Sequence, residues 1–383
     1  GAKSIVFQNQ ERTKFSVRVV DLASRKLSSL TDGFFSDFNP VWSTSGEYIY
    51  FSSQRSGGLN IWRIPVSERG EPTDAPQQVT VGAGQDVEMS ISRNGKLLAF
   101  SILKQNADIW RLPVDVKTGE PAGAPQPVIA TTREDSRGAW SPDGESIAFN
   151  SDRTGDMNIW IHSLKDGSVR QMTTGPGGDY QPNWSPDAKS LVFFSNRSGE
   201  PAIWLLHCAN GNLKQLTKNK RMNINPFFSP DSKWIAYHGD ETGRPEVWIM
   251  RADGSEKRQI TRIGVRGHFL RWSADGNSIF FFCPYRERPG VFQVEIGSEE
   301  PRLIAETNAG AHISFSPDYS MMMDVAGHKS LWVTPLRSAV GKKVFEFEDP
   351  SARIDYPVWS PVGRSALFDL FRPQGGDIWM LSL

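Results

Sequence analysis

Hydrophobic and polar residues alternate in short runs along the whole chain, and clusters of glycine, proline, serine and aspartate separate the runs. Segments such as "SIAFNS" (146–151), "SLVFFS" (190–195) and "WIAYHG" (234–239) show the two-residue period of a strand with one buried face. No segment of useful length shows the 3.6-residue period of an amphipathic helix. The pattern therefore predicts an all-β protein built from many short strands.

The same unit returns along the chain, marked by a turn of the form "AWSPDG" (139–144). Proline presets φ for a type I turn, aspartate can bond the local backbone, and glycine supplies the left-handed residue that closes a hairpin. Successive turns are 43 to 49 residues apart. Their aromatic or apolar anchor residues are Trp42, Ile91, Trp140, Trp184, Phe228, Trp272, Phe315 and Trp359.

Each unit continues in the same order after its turn. An alternating strand is followed by a polar loop, a strand centred on Ile-Trp, and a short strand ending in "QMT" (171–173) or its equivalent. Four short strands in about 44 residues are typical of a β-propeller blade. Anchor and third-strand positions hold 12 of the 13 tryptophans, which indicates that these side chains pack neighbouring sheets together.

The Trp-Ser-Pro-Asp-Gly turns, the segment "NSDRTGDMNIW" (150–160) and endings such as "RQMT" (170–173) resemble TolB-type β-propellers, a WD-repeat-like family, over almost the whole chain. Similar blades occur in sensory regions of bacterial membrane regulators and kinases, in prolyl-oligopeptidase-type proteases and in oligogalacturonate lyases. The resemblance implies a bacterial, periplasmic or otherwise extracytoplasmic protein with a role in protein binding or signalling. Because fold does not determine function, the function has to be inferred from the site.

We expect a single β-propeller domain over residues 1–383, with eight repeat units in 32–383. Residues 1–31 resemble strands two to four of a further unit, "KSIVFQN", "FSVRVVDL" and "KLSSLT". We favour an eight-bladed ring in which the third of these segments forms the closing outer strand of the last blade. A nine-bladed ring with two incomplete blades is the alternative. The chain begins where an anchor turn is expected, so we also expect a further domain upstream.

Acidic and basic residues recur in register near one face of the predicted ring. Five residues before the anchor stand Asp37, Asp86, Asp135, Asp179 and then Asn223, and the loops after the second strands carry Arg55, Lys104, Arg153, Arg197, Arg244 and Arg286. A ring of cations for an anionic ligand is one interpretation. We favour the other, a repeated structural brace between each aspartate and its arginine, because both recur together.

Three residues before the anchor the repeat breaks down, and this register is the predicted ligand site. Residues that recur in every unit serve the scaffold, whereas residues that differ at an exposed register are candidates for binding. The innermost strand of a blade lines the central channel, so this register predicts a ligand-binding channel mouth. The predicted residues are Asn39, Glu88, Arg137, Gln181, Asn225, Tyr356, His312 (with Phe269 also at this register) and the neighbours His268 and Asp355.

His268 and His312 are the candidate metal ligands, since only six histidines exist and these two fall in consecutive units. With Glu88 or Asp355 they could bind a divalent metal in the channel, because imidazole and carboxylate suit several transition metals. A site without any cofactor is the favoured interpretation. The metal would support the alternative function, a metal-assisted polysaccharide lyase of the oligogalacturonate type, to which the resemblance also points.

The remaining features favour a non-catalytic binding module. The sequence contains no Gly-x-Ser-x-Gly elbow, Walker motif or dinucleotide fingerprint. Lys plus Arg equals Asp plus Glu at 43 each, so no global field favours nucleic acid. No apolar stretch resembles a membrane span or a signal peptide, and Cys208 and Cys283 are expected to be buried thiols. The expected partner is another protein or a small ligand at the channel face.

Overall fold

The computed structural model describes residues 3–11, 14–31, 37–53, 55, 59–80, 85–219, 221–265, 269–285, 288–298, 300–307, 312–337 and 340–383. These residues contain 32 strands in eight antiparallel sheets, and no helix occurs among them. The prediction of an all-β propeller is therefore confirmed. The chain divides into two compact units, unit 1 with residues 1–105 and 373–383 and unit 2 with residues 106–372.

Unit 1 contains a three-stranded sheet, a four-stranded sheet and the pair formed by β8 with the first part of β9. Its strands are β1 (Ser4–Glu11), β2 (Lys14–Asp21), β3 (Leu27–Ser29), β4 (Asp37–Trp42), β5 (Tyr48–Ser53), β6 (Asn60–Pro65), β7 (Gln77–Gln78), β8 (Gln85–Ile91), the start of β9 (Leu97–Pro113) and the end of β32 (Ser365–Ser382). Val17, Val19, Ile49, Phe51 and Ile64 form its largest buried cluster.

Unit 2 contains five regular four-stranded sheets and a sixth that combines strands from distant parts of the chain. The regular sheets are β11 (Asp135–Trp140), β12 (Ser146–Ser151), β13 (Asn158–Ser163), β14 (Val169–Gln171); β15 (Asp179–Trp184), β16 (Ser190–Ser195), β17 (Ala202–His207), β18 (Leu213–Gln215); β19 (Asn223–Phe228), β20 (Trp234–Gly239), β21 (Glu246–Arg251), β22 (Arg258–Gln259); β23 (Leu270–Trp272), β24 (Ser278–Tyr285), β25 (Arg288–Glu295), β26 (Arg302–Glu306); and β27 (Ile313–Phe315), β28 (Met321–Ala326), β29 (Ser330–Pro335), β30 (Lys342–Glu346).

The sixth sheet of unit 2 has the strand order β31, β32, β9, β10. Its strands are β31 (Arg353–Trp359), the first part of β32 (Ser365–Ser382), the second part of β9 and β10 (Gln126–Ile129). Val114 N donates to Arg364 O over 3.0 Å where β9 ends and β32 begins. Leu112 of β9 shares a fully buried cluster with Phe368 and Leu370 of β32, so apolar packing joins the two chain segments.

The six sheets of unit 2 close into a ring through their first strands. Trp184 Nε1 donates to Ala139 O (3.2 Å), and Trp272 Nε1 donates to Phe227 O (3.1 Å). Each of these hydrogen bonds joins an anchor tryptophan to the first strand of the preceding sheet. Trp140 Nε1 donates to Val358 O over 3.3 Å and thereby joins the first regular sheet to the sixth. Trp140, Trp184 and Trp272 thus bond to neighbouring sheets, as predicted for the anchor tryptophans.

The number of blades differs from the prediction. Among the described residues of unit 2 (106–372), the closed ring contains six sheets, so the eight or nine blades predicted for the ring are not confirmed. The segment expected to form the outer strand of the last blade instead pairs with its own neighbour, since Arg18 of β2 lies opposite Ser29 of β3. The third and outer strands of the closing sheet are supplied by β9 and β10. The repeat pattern predicts strands but does not specify this partner.

The Ser-Pro-Asp-Gly turn has the predicted conformation. Asp143 Oδ1 accepts hydrogen bonds from Ser141 Oγ (2.5 Å) and from Glu145 N (2.9 Å). Gly144 has a φ of 72°, in the left-handed region that glycine occupies without steric cost. Ser141 N and Ser146 O close the hairpin at 2.8 Å. Each turn therefore fixes the register between the first two strands of its sheet.

Candidate functional site

A small cavity in the channel of unit 2 collects the side chains of the predicted register. We call it the channel cavity; it measures about 70 Å³. It is lined by Arg137, Gly138, Ala139, Gln181, Pro182, Asn183, Asn225, Phe227, Phe269, Arg271, His312, Ile313, Tyr356, Pro357 and Val358. All six sheets of the ring contribute to it. The structure thus brings together the six residues that stand three before the anchors of unit 2.

A repeated β-bulge turns these side chains inward. The register shifts between Ser136 and Ala139 and between Tyr180 and Asn183, and equivalent shifts occur in four other first strands. The residue in each bulge has a positive φ of 48° to 60°: Asn39, Glu88, Arg137, Gln181, Asn225 and Tyr356. Bulges re-aim side chains next to sites, and non-glycine residues in this conformation are strained. The variable register of the sequence is therefore the bulge residue itself.

Neighbouring sheets support the bulges with hydrogen bonds. Arg137 N donates to Asp369 Oδ2 of the preceding sheet over 2.8 Å, and Gln181 N donates to Asn150 Oδ1 over 3.2 Å. Burial raises the pKa of Asp369 well above its ordinary value, and the nearby Arg137 only partly offsets this effect. The side-chain acceptor thus binds the backbone N–H of the bulge residue, which has no partner in the neighbouring strand.

Arg137 and Tyr356 contact each other across the junction that closes the ring. The Arg137 guanidinium carbon lies 3.1 Å from the centre of the Tyr356 ring, and its Nη2 donates to the tyrosine hydroxyl. Burial raises the pKa of Tyr356, so the phenol stays protonated at neutral pH. Arg137 Nη1 is buried and has no hydrogen-bond partner within the part of the chain that the structure describes. One donor of this guanidinium is therefore left for a ligand.

Arg271 provides a second guanidinium in the cavity wall. Its Nη1 donates to the carbonyl of Leu270 (2.9 Å), and its guanidinium carbon lies 3.8 Å from the centre of the Phe227 ring. Among the described residues no carboxylate forms an ion pair with it. Burial lowers the pKa of Arg271 to about 10, so the side chain is still charged at neutral pH. A partly buried charge without an anionic partner is unfavourable, and an anionic ligand would supply that partner.

Asp355 and two histidines form a cluster beside the channel cavity. His312 Nδ1 lies 2.8 Å and His328 Nδ1 lies 2.5 Å from the same oxygen of Asp355. Burial raises the pKa of Asp355, but the hydrogen bonds and charges of the two histidines outweigh it and hold that pKa below the ordinary value. Burial also lowers the pKa of His312. At neutral pH the carboxylate is therefore ionised and buried between two imidazoles.

Two buried acceptors of the cavity also have no partner among the described residues, Gln181 Oε1 and Asn225 Oδ1. The side chain of Asn225 is held by a hydrogen bond between its Nδ2 and His238 Nδ1, which are 3.0 Å apart. Burial lowers the pKa of His238 to about 4, so this imidazole is neutral. Unpaired buried acceptors beside unpaired donors suit a ligand that carries both an anionic group and an N–H or O–H.

The recurring aspartate and arginine residues form the expected structural braces. Arg153 Nη2 lies 2.6 Å from Asp135 Oδ1, Arg55 Nη2 lies 3.0 Å from Asp37 Oδ1, and Arg197 pairs with Asp179 in the same way. Each of these aspartates is fully buried. The cation ring for an anionic ligand is therefore not formed by these arginines. Arg286 and the side chain of Lys104 lie outside the described residues.

Three predicted site residues that the structure describes, Asn39, Glu88 and Asp355, are not among those that line the channel cavity. Asn39 and Glu88 occupy the same bulge position, but they are exposed and belong to unit 1. His268 lies outside the described residues. Asp355 lies beside the cavity and contacts His312, which does line it. The predicted pairing of His268 with His312 lies outside the described residues; within them, His312 clusters with Asp355 and His328.

Sequence reasoning missed Arg271 and His328. Arg271 stands directly before its anchor, and the other seven units have Val41, Ser90, Ala139, Asn183, Phe227, Ser314 and Val358 at that position. Comparing this register as well would have identified Arg271 as its only charged residue. His328 lies in a shortened connection between β28 and β29, which the comparison of anchor registers does not reach.

Neither cysteine forms a disulfide, and Cys283 is fully buried as expected, whereas Cys208 is partly exposed. Burial raises the pKa of the Cys208 thiol to about 11. The Cys208 thiol is therefore protonated at neutral pH, and Cys283 is shielded from solvent by its burial. In the described part of the chain no helix is long and apolar enough to cross a membrane.

Comparison with known proteins identifies relatives of this fold. A protein of Agrobacterium fabrum named "Uncharacterized protein Atu1656" is 30% identical over 155 residues, which are 38% of this chain and 50% of that protein. The chain thus spans about half the length of this curated relative. The crystal structure of TolB from Acinetobacter baumannii superposes with a TM-score of 0.50 at 17% identity, covering 99% of this chain and 82% of that one. An oligogalacturonate lyase in complex with manganese gives a TM-score of 0.48 at 13% identity, covering 97% of each chain.

A family model shows the relationship directly. The model of the TolB beta propeller domain matches residues 122–213 and 202–363. These matches cover more than half of the chain and fall inside unit 2, where the six sheets close into a ring. Fold, repeat and family match therefore agree, and the chain belongs to the TolB beta propeller domain family.

Proposed function

We propose that this propeller is a non-catalytic binding module that takes the anionic end of a partner molecule into its channel cavity. The observation that carries the proposal is Arg271, a guanidinium in the cavity wall without a carboxylate partner among the described residues. Arg137 adds a second unpaired donor in the same cavity. Guanidinium groups present planar donor pairs that match carboxylate and other oxyanions.

The size of the cavity limits what can enter. Its volume of about 70 Å³ is well below the roughly 300–1,000 Å³ of sites that enclose a drug-sized molecule. A carboxylate or another small oxyanion fits this space, whereas a whole sugar or cofactor does not. The aromatic rings of Phe227 and Phe269 supply apolar walls beside the charge. We therefore propose recognition of an end group, with the rest of the partner lying outside the cavity.

The partner proposed here is a protein or a small metabolite, and the proposed location is extracytoplasmic. Membership of the TolB beta propeller domain family supports both proposals, since a rigid ring of repeated units can present its loops for binding. Cell fractionation tests the location.

Binding is tested by calorimetry and thermal melting of the full chain with citrate, succinate and tripeptides. Each tripeptide is used with a free and an amidated carboxyl terminus. We expect the free forms to bind and to raise the melting temperature, because a ligand that prefers the native state stabilises it. Losing a charged hydrogen bond costs about 1.5–3 kcal/mol, so Arg271→Gln should weaken binding about ten-fold or more. Arg258→Gln, on the exposed outer strand β22, is the matched control.

Unchanged affinity in Arg271→Gln and Arg137→Gln would refute the proposed site. Binding that is equal for free and amidated tripeptides would refute the anionic end as the recognised group.

The alternative function is a metal-assisted polysaccharide lyase that uses the histidines of the channel. One observation favours it: His312 lines the same cavity as two guanidiniums, which could hold a uronate carboxylate. Incubation of the protein with acidic oligosaccharides and divalent metals tests it, since a lyase product gains ultraviolet absorbance. No change in absorbance across several uronates would exclude this alternative.

A further inference from the structure

His312, His328 and Asp355 converge from three different chain segments. Their donor atoms all lie within 4.8 Å of one another. Both imidazoles present Nδ1 to a single carboxylate oxygen, at 2.8 Å from His312 and 2.5 Å from His328. The two rings are nearly perpendicular, at 81°, with centres 5.6 Å apart. Two imidazole nitrogens thus approach one carboxylate oxygen from different directions, and all three donor atoms lie close together.

The fold explains why these residues meet here. His312 directly precedes β27, and Asp355 lies in β31 of the next sheet. The connection between β28 and β29 has only three residues (327–329), whereas the equivalent connection between β12 and β13 has six (152–157). His328 occupies this short turn with a φ of 57°. The shortening replaces a polar loop by a tight hairpin and places an imidazole next to Asp355.

The donor set suits a divalent transition metal. Two imidazoles and one carboxylate are ligands that zinc and its neighbours in the periodic table prefer. Two ligands that each lie about 2.0–2.1 Å from a tetrahedral ion are about 3.3 Å apart. The His312 nitrogen therefore needs to move about 0.5 Å away from the Asp355 oxygen, and the His328 nitrogen about 0.8 Å. His328 can make this movement because its side chain is 49% exposed, while Asp355 is 4% exposed and fixed.

Neighbouring groups hold two of the three ligands. Tyr356 stacks on His312 with ring centres 4.1 Å apart. Arg353 Nη2 lies 3.4 Å from the second oxygen of Asp355. Such contacts orient ligands in metal sites, and they leave the first carboxylate oxygen directed at the histidines. The exposed side of His328 gives an ion a path from solvent.

We propose that His312, His328 and Asp355 bind one divalent transition-metal ion, such as Zn²⁺, at the edge of the channel. This site does not use Arg271 and stands independently of the anion site. Because His312 also lines the channel cavity, an ion bound here would add positive charge next to it.

Calorimetric titration of the chelator-treated full chain with ZnCl₂ tests the metal site. We expect one equivalent of Zn²⁺ to bind, and Co²⁺ to give the visible absorbance of a site with nitrogen and oxygen ligands. Removing a ligand should cost more than the roughly 10- to 100-fold lost with a supporting contact. His328→Asn suits the test because asparagine tolerates the left-handed turn, and Asp355→Asn keeps the shape of the side chain.

His207→Asn is the matched control, since His207 is an exposed histidine on β17 away from the cluster. Circular dichroism and melting without metal confirm that each variant is folded. The proposal is wrong if the wild type binds no Zn²⁺ up to millimolar concentration. It is also wrong if both cluster variants bind one equivalent as tightly as the wild type. Arg271→Gln should still bind zinc, so failure of the anion site and failure of the metal site are distinguishable.

Discussion

The left-handed bulge at Gln181 can be tested by substitution, because a backbone with positive φ favours glycine over other residues. Its φ of 54° lies in the left-handed region, where an ordinary side chain costs about 1–2 kcal/mol. Gln181→Gly relieves this strain but adds about 0.4–1 kcal/mol of unfolded-state entropy. We therefore expect the glycine variant to be as stable as the wild type or up to about 1.6 kcal/mol more stable.

Gln181→Val should be destabilised by at least about 1 kcal/mol, because a β-branched residue is a steric outlier at positive φ. Asn183, two residues further along β15, is the control position, since its φ is not in the left-handed region. There the order should reverse, because glycine weakens an extended strand by about 0.5–1 kcal/mol and valine favours it. Chemical denaturation followed by tryptophan fluorescence measures all four variants. If valine is at least as stable as glycine at position 181, the left-handed bulge is not present.

Two further perturbations concern buried charges. Asp179→Ala should lower the free energy of unfolding by about 3–5 kcal/mol, because it leaves the buried guanidinium of Arg197 unpaired. The double variant Asp179→Ala/Arg197→Leu should recover part of this loss. Glu346→Ala, which removes an exposed ion pair, is the control and should cost less than about 1 kcal/mol. A double variant no more stable than the single one would contradict this. Burial raises the pKa of Asp324 to about 6, so its stabilising contribution is complete below about pH 4 and is lost as the pH rises through 6. Asp324→Asn should therefore be about 2–3 kcal/mol more stable than wild type at pH 7.5 and equal to it at pH 4. Denaturation curves in which this difference does not change with pH would refute the raised pKa of Asp324.

Much of the fold could be predicted from local sequence. The Ser-Pro-Asp-Gly turn, the strand that follows it and the tryptophan of the third strand depend on neighbouring residues within one unit. The bonds of Ser141, Asp143 and Gly144 have the expected geometry because turn chemistry is local. For the same reason every regular sheet of unit 2 appears where the repeat places it.

The number of sheets in the ring could not be predicted in this way. Closure depends on which strand covers β32, and the repeat gives β9 and the N-terminal segment similar alternating patterns. Leu112 and Phe368 meet in a buried cluster although they are 256 positions apart. Any third strand with an apolar face could pair with β32, so packing of the whole ring determines that β9 is its partner.

The candidate site was predicted in part. The register three before the anchor identified Arg137, Gln181 and Tyr356, because variation at one position of a repeat separates function from scaffold. Arg271 was missed since it lies at the neighbouring register, and His328 since it lies in a loop of altered length. A bulge points two nearby positions of one strand into the same channel, which an alternating strand pattern does not anticipate.

The most direct test of the central claim is an anomalous difference map from crystals of the full chain soaked in selenate. Selenate is a small oxyanion whose selenium marks its own position. We predict a peak in the channel cavity, with oxygens within hydrogen-bond distance of the guanidiniums of Arg271 and Arg137. Selenate peaks confined to the outer surface, with none in the channel cavity, would contradict the claim that this propeller binds an anionic group in its channel.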